Sequence, residues 1–284
     1  MNENTYSTRW RQAARPPSGA TGKARALLRN LVLSVSSAMN KPPKEPFLRC
    51  LYCHYVFDDQ KQEFEYLIKE LMKAGEFVDT DTCIAILEGK QALDRSYYHM
   101  SFDDGFRNNY TNALPVLKKY RIPAIFFVPS SLVDADWERA RDYCLHTTHY
   151  ASVVEMLKWN DLRDLLAQGY QVGSHTRTHA RFSDISKDPS LMEDEILGSK
   201  MELEKNLGYE CKYISWPYGS LRDVDDESLK MAKRAGYKAC FGAYRGTVKP
   251  GSTHIFSIPR HHFEVQWPLS HITFFARGNM EVKS

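Results

Sequence analysis

The feature that most limits the possible fold is a regular alternation of short apolar runs with amphipathic helical patterns, which begins at Phe47. Between the runs, hydrophobic residues recur at helical spacing, as at Phe64, Leu67, Ile68 and Leu71. Strands that are apolar on both faces and joined by helices are typical of parallel sheets, and about seven such units favour a closed α/β barrel over an open nucleotide-binding sheet. The runs that we predict to be strands are 48–57, 97–102, 124–128, 170–173, 213–216, 239–241 and 255–258.

The composition excludes several classes of protein. Hydrophobic residues make up 43% and charged residues 26% of the 284 residues, which is typical of a globular chain with a full-sized core. The sequence has no run of about 18 consecutive apolar residues, so no membrane-spanning helix is predicted. Residues 47–284 contain 30 basic and 33 acidic side chains, a poor platform for nucleic acid, and we predict no nucleic-acid partner. Neither GxGxxG nor GxxxxGK[ST] follows a predicted strand, so no dinucleotide or phosphate-binding loop is expected.

Residues 1–46 are a basic N-terminal extension, with eight Lys and Arg against two Asp and Glu, which we predict to be flexible and separate from a single domain over residues 47–284. Within it, residues 26–39 read either as a short helix packed on the domain or a partner, or as an amphipathic segment that touches an anionic membrane surface. The prolines of 41–46 mark the boundary. No secretory signal is convincing, so we expect a cytoplasmic location, with the inner membrane face as one option and export left open.

Six cysteines lie at positions 50, 53, 83, 144, 211 and 240. Cys50 and Cys53 have the spacing of redox and zinc motifs, but residues three apart on a strand point to opposite faces. The sequence has no second CxxC to complete a zinc site. We therefore expect reduced thiols with a structural role.

Two adjacent carboxylates follow the predicted strand 97–102. Asp103 and Asp104 precede Gly105 at the point where the strand would end, and functional residues of parallel α/β folds gather at such ends. Neighbouring side chains of a strand point in different directions, so one acid can bind a metal while the other handles a proton. Capping of a helix N-terminus explains an Asp pair equally well.

Two histidines four residues apart, His175 and His179, follow the predicted strand 170–173. On one helical turn this spacing places both imidazoles on the same face, where they can share a metal, although such pairs also occur on surfaces by chance. Together with one aspartate they supply three protein ligands and leave a position for water. This pattern is typical of a catalytic rather than a structural metal site.

The predicted strand 213–216 ends in a rigid turn, Trp216-Pro217-Tyr218-Gly219. Aromatic side chains beside Pro and Gly can shape a ligand pocket and allow a backbone N–H to approach a substrate. A packed turn with its aromatic residues in the core is the alternative interpretation.

In combination, these three motifs resemble those of the polysaccharide deacetylase family, also called the NodB-homology domain or carbohydrate esterase family 4. The resemblance covers about residues 48–265, and the segment Tyr52–Val56 is similar to the first strand of exopolysaccharide-type members. It implies an α/β fold, a distorted parallel (β/α)7 barrel, that removes acetyl groups from N-acetylated sugars.

The resemblance also implies roles for individual residues. Asp103 becomes the general base, and Asp104, His175 and His179 become the ligands of a divalent metal. Zn²⁺ is the metal that we expect, although one oxygen and two nitrogen ligands select weakly among Zn²⁺, Co²⁺, Ni²⁺, Mn²⁺ and Fe²⁺.

By the same resemblance, Trp216, Pro217 and Tyr218 become a wall of the saccharide groove, with the Tyr218 backbone N–H donating to the oxyanion. The family's arginine in the third motif would stand near Ser215 and is missing from this sequence. We assign Arg260 to the substrate site as the residue that restores a cation near the base.

The proton donor to the leaving amine is open. Many family members use the His of a Leu-x-His motif, which His271 matches formally, but its surroundings read as a helix. We prefer His54, because it closes the first strand near the other strand ends, although it also fits a hydrogen-bonded strand residue. His261, His262 and His99 are weaker candidates.

The leading hypothesis is a metal-dependent hydrolase that removes N-acetyl groups from a sugar in a polysaccharide, lipopolysaccharide or other surface glycan. An ester deacetylase or another amide hydrolase on the same scaffold is one alternative. A catalytically silent saccharide-binding relative, docked on a membrane or on glycan-assembly proteins through its basic extension, is the other. The intact acids and histidines argue against the silent relative, and the missing arginine argues for it.

Overall fold

The computed structural model describes residues 5–13, 28, 30–37, 43 and 45–279. Strands and helices alternate from Leu48 onward. The strands are β1 (Leu48–Cys53), β2 (Glu76–Val78), β3 (Tyr97–Phe102), β4 (Ile125–Val128), β5 (Gln171–Ser174), β6 (Tyr213–Ser215), β7 (Ala239–Phe241) and β8 (His261–His262). The helices are α1 (Trp10–Ala13), α2 (30–37), α3 (Lys61–Met72), α4 (Thr80–Leu87), α5 (Leu114–Tyr120), α6 (Trp137–Asp142), α7 (Trp159–Ala167), α8 (Phe182–Ile185), α9 (Pro189–Glu193), α10 (Ser199–Leu207), α11 (Asp226–Arg234) and α12 (Leu269–Ala276). Single π-helical turns precede α5 and α10 and extend α6.

The strands form one parallel sheet in the order β7-β6-β5-β4-β3-β1-β8, with β2 beside β3. The segment that leads into β8 contacts β7, so it joins the two ends of this order. Ile258 exchanges backbone hydrogen bonds with Cys240 and Gly242 at β7, and His261 and His262 pair with β1. The sheet therefore curls into the distorted parallel (β/α)7 barrel that the sequence predicts.

Alternate residues of each strand face the barrel interior, where Cys50, Ile125, Phe127 and Phe241 belong to one buried cluster. The other face packs against the helices, including the predicted apolar stripe of α3. Both faces of the strands are therefore buried, which explains why their sequences do not alternate between apolar and polar residues.

Three strand predictions need correction. The run 48–57 is a strand only to Cys53, because the chain then leaves the sheet. The run 255–258 is not a strand, since only Ile258 bridges to β7, and the last strand is β8. β2 was not predicted, because its three residues are too few to show a pattern.

Two parts of the N-terminal extension lie against the domain. The Trp10 ring stacks on Tyr55 with a centroid distance of 5.5 Å. On α2, Leu33 packs with Phe274 and Phe275 of α12. The opposite side of α2 exposes Leu31, Val32 and Val35, among other residues. The predicted disorder of residues 1–25 lies largely outside the described residues, and the domain boundary at 46/47 stays a prediction. None of the described helices is long and apolar enough to span a bilayer.

Candidate active site and metal centre

Three motifs that are far apart in the sequence meet at the carboxyl end of the sheet. Asp103 and Asp104 follow β3, His175 follows β5, and Trp216 follows β6. Because parallel strands end at the same edge, these side chains share one cavity of about 220 Å³. The residues that line it are Tyr52, His54, Asp103, Asp104, Thr148, Tyr150, His175, His179, Trp216, Tyr218, Gly219, Ala243 and Glu264.

Asp104, His175 and His179 are buried side by side. Asp104 Oδ1 lies 3.4 Å from His175 Nε2 and 3.2 Å from His179 Nε2. His175 Nδ1 lies 2.7 Å from the Ser215 carbonyl oxygen, so it carries the proton and leaves the Nε2 lone pair for a ligand. One carboxylate oxygen and two imidazole nitrogens are a donor set that fits a divalent transition metal, and one atom from each side chain falls within 4.8 Å of the others.

The surroundings of Asp104 favour the ionised carboxylate. Burial alone would raise its pKa, but nearby His54 and the contacts with His175 and His179 outweigh burial and hold the pKa well below its usual range. Burial lowers the pKa of His179 despite its contact with Asp104, which favours the neutral imidazole that a metal requires.

The predicted helical turn between the two histidines is absent. Residues 175–180 form a loop in which Thr176 and His179 adopt left-handed φ values of 62° and 70°. The carboxylate of Glu195, 2% exposed, accepts hydrogen bonds from the Arg177 and Thr178 N–H groups at 3.0 and 2.9 Å. Glu195 was not predicted, because nothing in the sequence links it to a loop 17 residues away.

Strained backbone conformations collect at this edge. Besides Thr176 and His179, Asp104 and Tyr218 have φ values of 70° and 62°. Non-glycine residues in this region cost free energy and persist where the surroundings hold them, most often at functional sites.

Asp103 forms a buried ion pair with Arg260. Arg260 donates to both carboxylate oxygens, at 2.8 and 2.7 Å, and also to Ser101 Oγ at 3.0 Å and Ser215 Oγ at 2.5 Å. Burial raises the pKa of Asp103, but Arg260 reverses this effect and lowers it. Arg260 thus lies beside Ser215, the position near which the family's arginine is missing. In the sequence, however, Arg260 directly precedes the last strand, β8.

The assignment of Arg260 to substrate binding needs correction. Its side chain is fully buried behind Asp103 and does not line the cavity. The guanidinium instead orients the carboxylate through two parallel charge-assisted hydrogen bonds, and its positive charge favours the ionised form.

His54 lines the cavity with Glu264 behind it. His54 Nδ1 lies 3.1 Å from Glu264 Oε1, and the same oxygen lies 2.7 Å from His262 Nε2. Burial lowers the pKa of His54, but Asp104 and Glu264 outweigh it and raise the pKa to about 9. Glu264 was missed in the sequence, although it lies two residues after a His-His pair at the end of a strand.

The other proton-donor candidates lie elsewhere. His271 is on α12, as the helical pattern predicts, and its Nε2 contacts Ser34 Oγ at 3.0 Å. His261 and His262 form β8, and His99 lies deeper in the barrel. Of these five histidines, only His54 lines the cavity within the described part of the chain.

The predicted groove wall is only partly exposed. Trp216 lines the cavity from a fully buried position, and Tyr218, 43% exposed, lies 5.1 Å from the His179 ring. Pro217 is buried and does not line the cavity. From the opposite side, Tyr150 reaches Asp104 Oδ2 at 3.4 Å, a contact that no sequence pattern indicated.

The sequence and the fold are similar to those of known polysaccharide deacetylases. The family model described as polysaccharide deacetylase matches residues 90–240. The putative polysaccharide deacetylase YxkH of Bacillus subtilis is 25% identical over 210 residues, 72% of this chain and 67% of that protein. A Staphylococcus aureus poly-beta-1,6-N-acetyl-D-glucosamine N-deacetylase is 28% identical over 168 residues, 57% of this chain and 52% of that protein, so the chain spans about half the length of this relative.

Two solved structures support the fold. IcaB from Ammonifex degensii aligns with a TM-score of 0.67 at 23% identity, covering 82% of this chain and 97% of that one. The Streptococcus pyogenes deacetylase PplD aligns with a TM-score of 0.63 at 18% identity, covering 83% and 99%. Since the family model alone spans more than half of the sequence, the chain belongs to the polysaccharide deacetylase family.

Proposed function

We propose that the protein is a metal-dependent N-deacetylase that hydrolyses the acetamido group of an N-acetylated sugar in a polysaccharide or another surface glycan. The observation that carries this proposal is the meeting of Asp104, His175 and His179 with the Asp103–Arg260 pair and His54 in one cavity. Family membership and the names of the relatives support a saccharide as the substrate.

Asp104, His175 and His179 are the residues that would hold the metal, and Zn²⁺ is the ion that we propose. A divalent ion bound there supplies Lewis acidity, which polarises a carbonyl oxygen and lowers the pKa of a water molecule to about 7. Asp103 is not one of these three residues. Both of its carboxylate oxygens accept hydrogen bonds from Arg260 instead.

The residues of the chain divide the proton transfers between them. Asp103, held anionic by Arg260, accepts a proton from the attacking water, and the Tyr218 N–H donates to the oxyanion. His54, whose pKa Asp104 and Glu264 raise, gives a proton to the departing nitrogen. Water adds to the acetyl carbon, the C–N bond breaks, and acetate and a free amine leave.

The test is an assay for free amine and acetate on β-1,6-linked and β-1,4-linked N-acetylglucosamine oligomers. We expect amine release that stops on chelation and returns with Zn²⁺. Asp103→Asn should lower kcat by about 10²–10⁴-fold while the metal stays bound. Acetate release from O-acetylated sugars alone would favour the ester deacetylase, and bound metal without any product would favour the silent relative.

We further propose that the protein works at a membrane surface that carries anionic lipids. Leu31, Val32 and Val35 of α2 are 62%, 52% and 51% exposed. The extension that contains them has a marked excess of Lys and Arg, and apolar residues combined with basic charge favour an anionic interface.

A further inference from the structure

We propose that the barrel interior contains a second metal site, in which Cys50, Cys83 and His99 bind a thiophilic cation of the Zn²⁺ or Cu⁺ type. The site is separate from the candidate active site and shares no ligand with it. The CxxC spacing of Cys50 and Cys53 does not produce it, because its second sulfur comes from α4.

The fold brings the three side chains together inside the sheet. Cys50 of β1 is paired in register with His99 of β3, so both point into the barrel. Cys83 lies on α4. This helix directly follows β2, and β2 pairs with β3. Cys50 and Cys83 are 0% exposed and His99 is 1% exposed, so no water competes for these ligands.

The distances suit a metal. Cys50 Sγ and Cys83 Sγ are 3.7 Å apart, and one ligand atom from each of the three residues falls within 4.8 Å of the others. Two thiolates bound to one zinc ion at about 2.3 Å with tetrahedral angles stand roughly 3.8 Å apart. A disulfide would need about 2.05 Å.

The His99 ring is oriented as a ligand. Its Nε2 lies 3.0 Å from Thr80 Oγ1, whereas Nδ1 has no hydrogen-bond partner among the residues that the structure describes. A buried ring nitrogen without a partner requires an explanation. Metal-bound histidines use one nitrogen for the metal and the other for a hydrogen bond, and stacking on Phe241 at 5.4 Å fixes this ring further.

The types of ligand atom also fit. Two sulfurs and one imidazole select soft cations, whereas the active-site triad offers no sulfur.

The test is a Co²⁺ titration of the metal-free, reduced full-length chain, followed by absorbance. Thiolate-to-cobalt charge transfer reports only this site, because the active-site triad has no sulfur. We expect two equivalents of Co²⁺ and a charge-transfer band. Cys83→Ser should lose the band and one equivalent, His175→Ala should lose one equivalent and keep the band, and Cys240→Ser, at another buried cysteine, should keep both.

Thr80→Val keeps both sulfurs and tests the site without removing a ligand. It should weaken the cobalt affinity reported by the band by about 10–100-fold, as loss of a partner to a ligating histidine does. Wild-type protein with one equivalent and no band would overturn the proposal, and so would a band that Cys83→Ser leaves intact. A Cys50–Cys83 disulfide in the protein as isolated would overturn it as well.

Discussion

At the scale of single residues, the two neighbouring aspartates differ through their partners. Asp103 faces a guanidinium and Asp104 faces two imidazoles, although both follow the same strand. Both pKa values are lowered: Arg260 contributes most to the lowering for Asp103, whereas His54 and the two imidazoles lower the pKa of Asp104. In the proposed mechanism, this division lets one carboxylate act on protons while the other binds a metal.

Arg260→Met leaves the Asp103 carboxylate buried without its counter-ion. We expect the free energy of unfolding to fall by about 3–5 kcal/mol, as happens when one member of a buried ion pair is removed. Urea denaturation measures this loss. The double variant Asp103→Asn/Arg260→Met should recover part of it, since both charges are then gone; equal destabilisation in the double variant would contradict the ion-pair explanation.

Glu264→Gln tests the proton donor. The carboxylate raises the pKa of His54, so its loss lowers that pKa, and His54 then loses its proton at a lower pH. The alkaline limb of the kcat/KM profile should move to lower pH. His262→Gln keeps the His54–Glu264 contact and should keep the limb near its original position. A His54→Gln variant with the wild-type rate would rule out His54 as the acid.

At the scale of elements, the loop after β5 depends on the helical segment that follows α9. Glu195 on that segment holds the backbone of Arg177 and Thr178, and so fixes the two flanking histidines. The candidate metal centre is therefore built by contacts between elements and not by a local helical turn.

Glu195→Ala should weaken metal binding at the triad by about 10–100-fold, because the loop loses the partner that orients its histidines. Calorimetric titration of the metal-free protein with Zn²⁺ measures the change. Glu193→Ala, at an exposed acid close by on α9, is the matched control and should bind as the wild type does. If both variants bind equally, Glu195 has no part in the centre.

A strand could be predicted from the sequence where all of its residues are buried, because burial produces a continuous apolar run. β3 and β7 have the predicted bounds, because every residue in them is buried. β8 consists of two histidines and has no apolar run to reveal it. Spacing drew attention to His175 and His179 through a helical turn that does not form. Glu195, Glu264 and the position of Arg260 behind Asp103 required the tertiary structure, since each contact joins distant residues or adjoining loops.

At the scale of the whole molecule, the candidate active-site cavity and α2 are separate features, because no residue of α2 lines the cavity. α2 lies against α12 through Leu33 and leaves its other apolar side chains in solvent. An enzyme that modifies a long glycan benefits from being held where the glycan is made, and a docked helix of this kind would hold it there.

Vesicle binding checks the membrane proposal. We expect the protein to sediment with vesicles that contain phosphatidylglycerol more than with phosphatidylcholine alone, and less so as salt is added. Leu31→Ser/Val35→Ser should reduce binding several-fold, whereas Leu191→Ser, an exposed leucine on α9, should not. Unchanged sedimentation of the double variant would exclude α2 as the membrane contact.

The position of Arg260 has a consequence for biosynthesis. A nascent chain leaves the ribosome with both aspartates and both histidines long before the guanidinium that must stand behind Asp103, and that guanidinium belongs to the segment that joins the two ends of the sheet. Under the proposed mechanism, closure of the sheet and completion of the base are thus one event, and we expect a chain truncated before Arg260 to lack deacetylase activity.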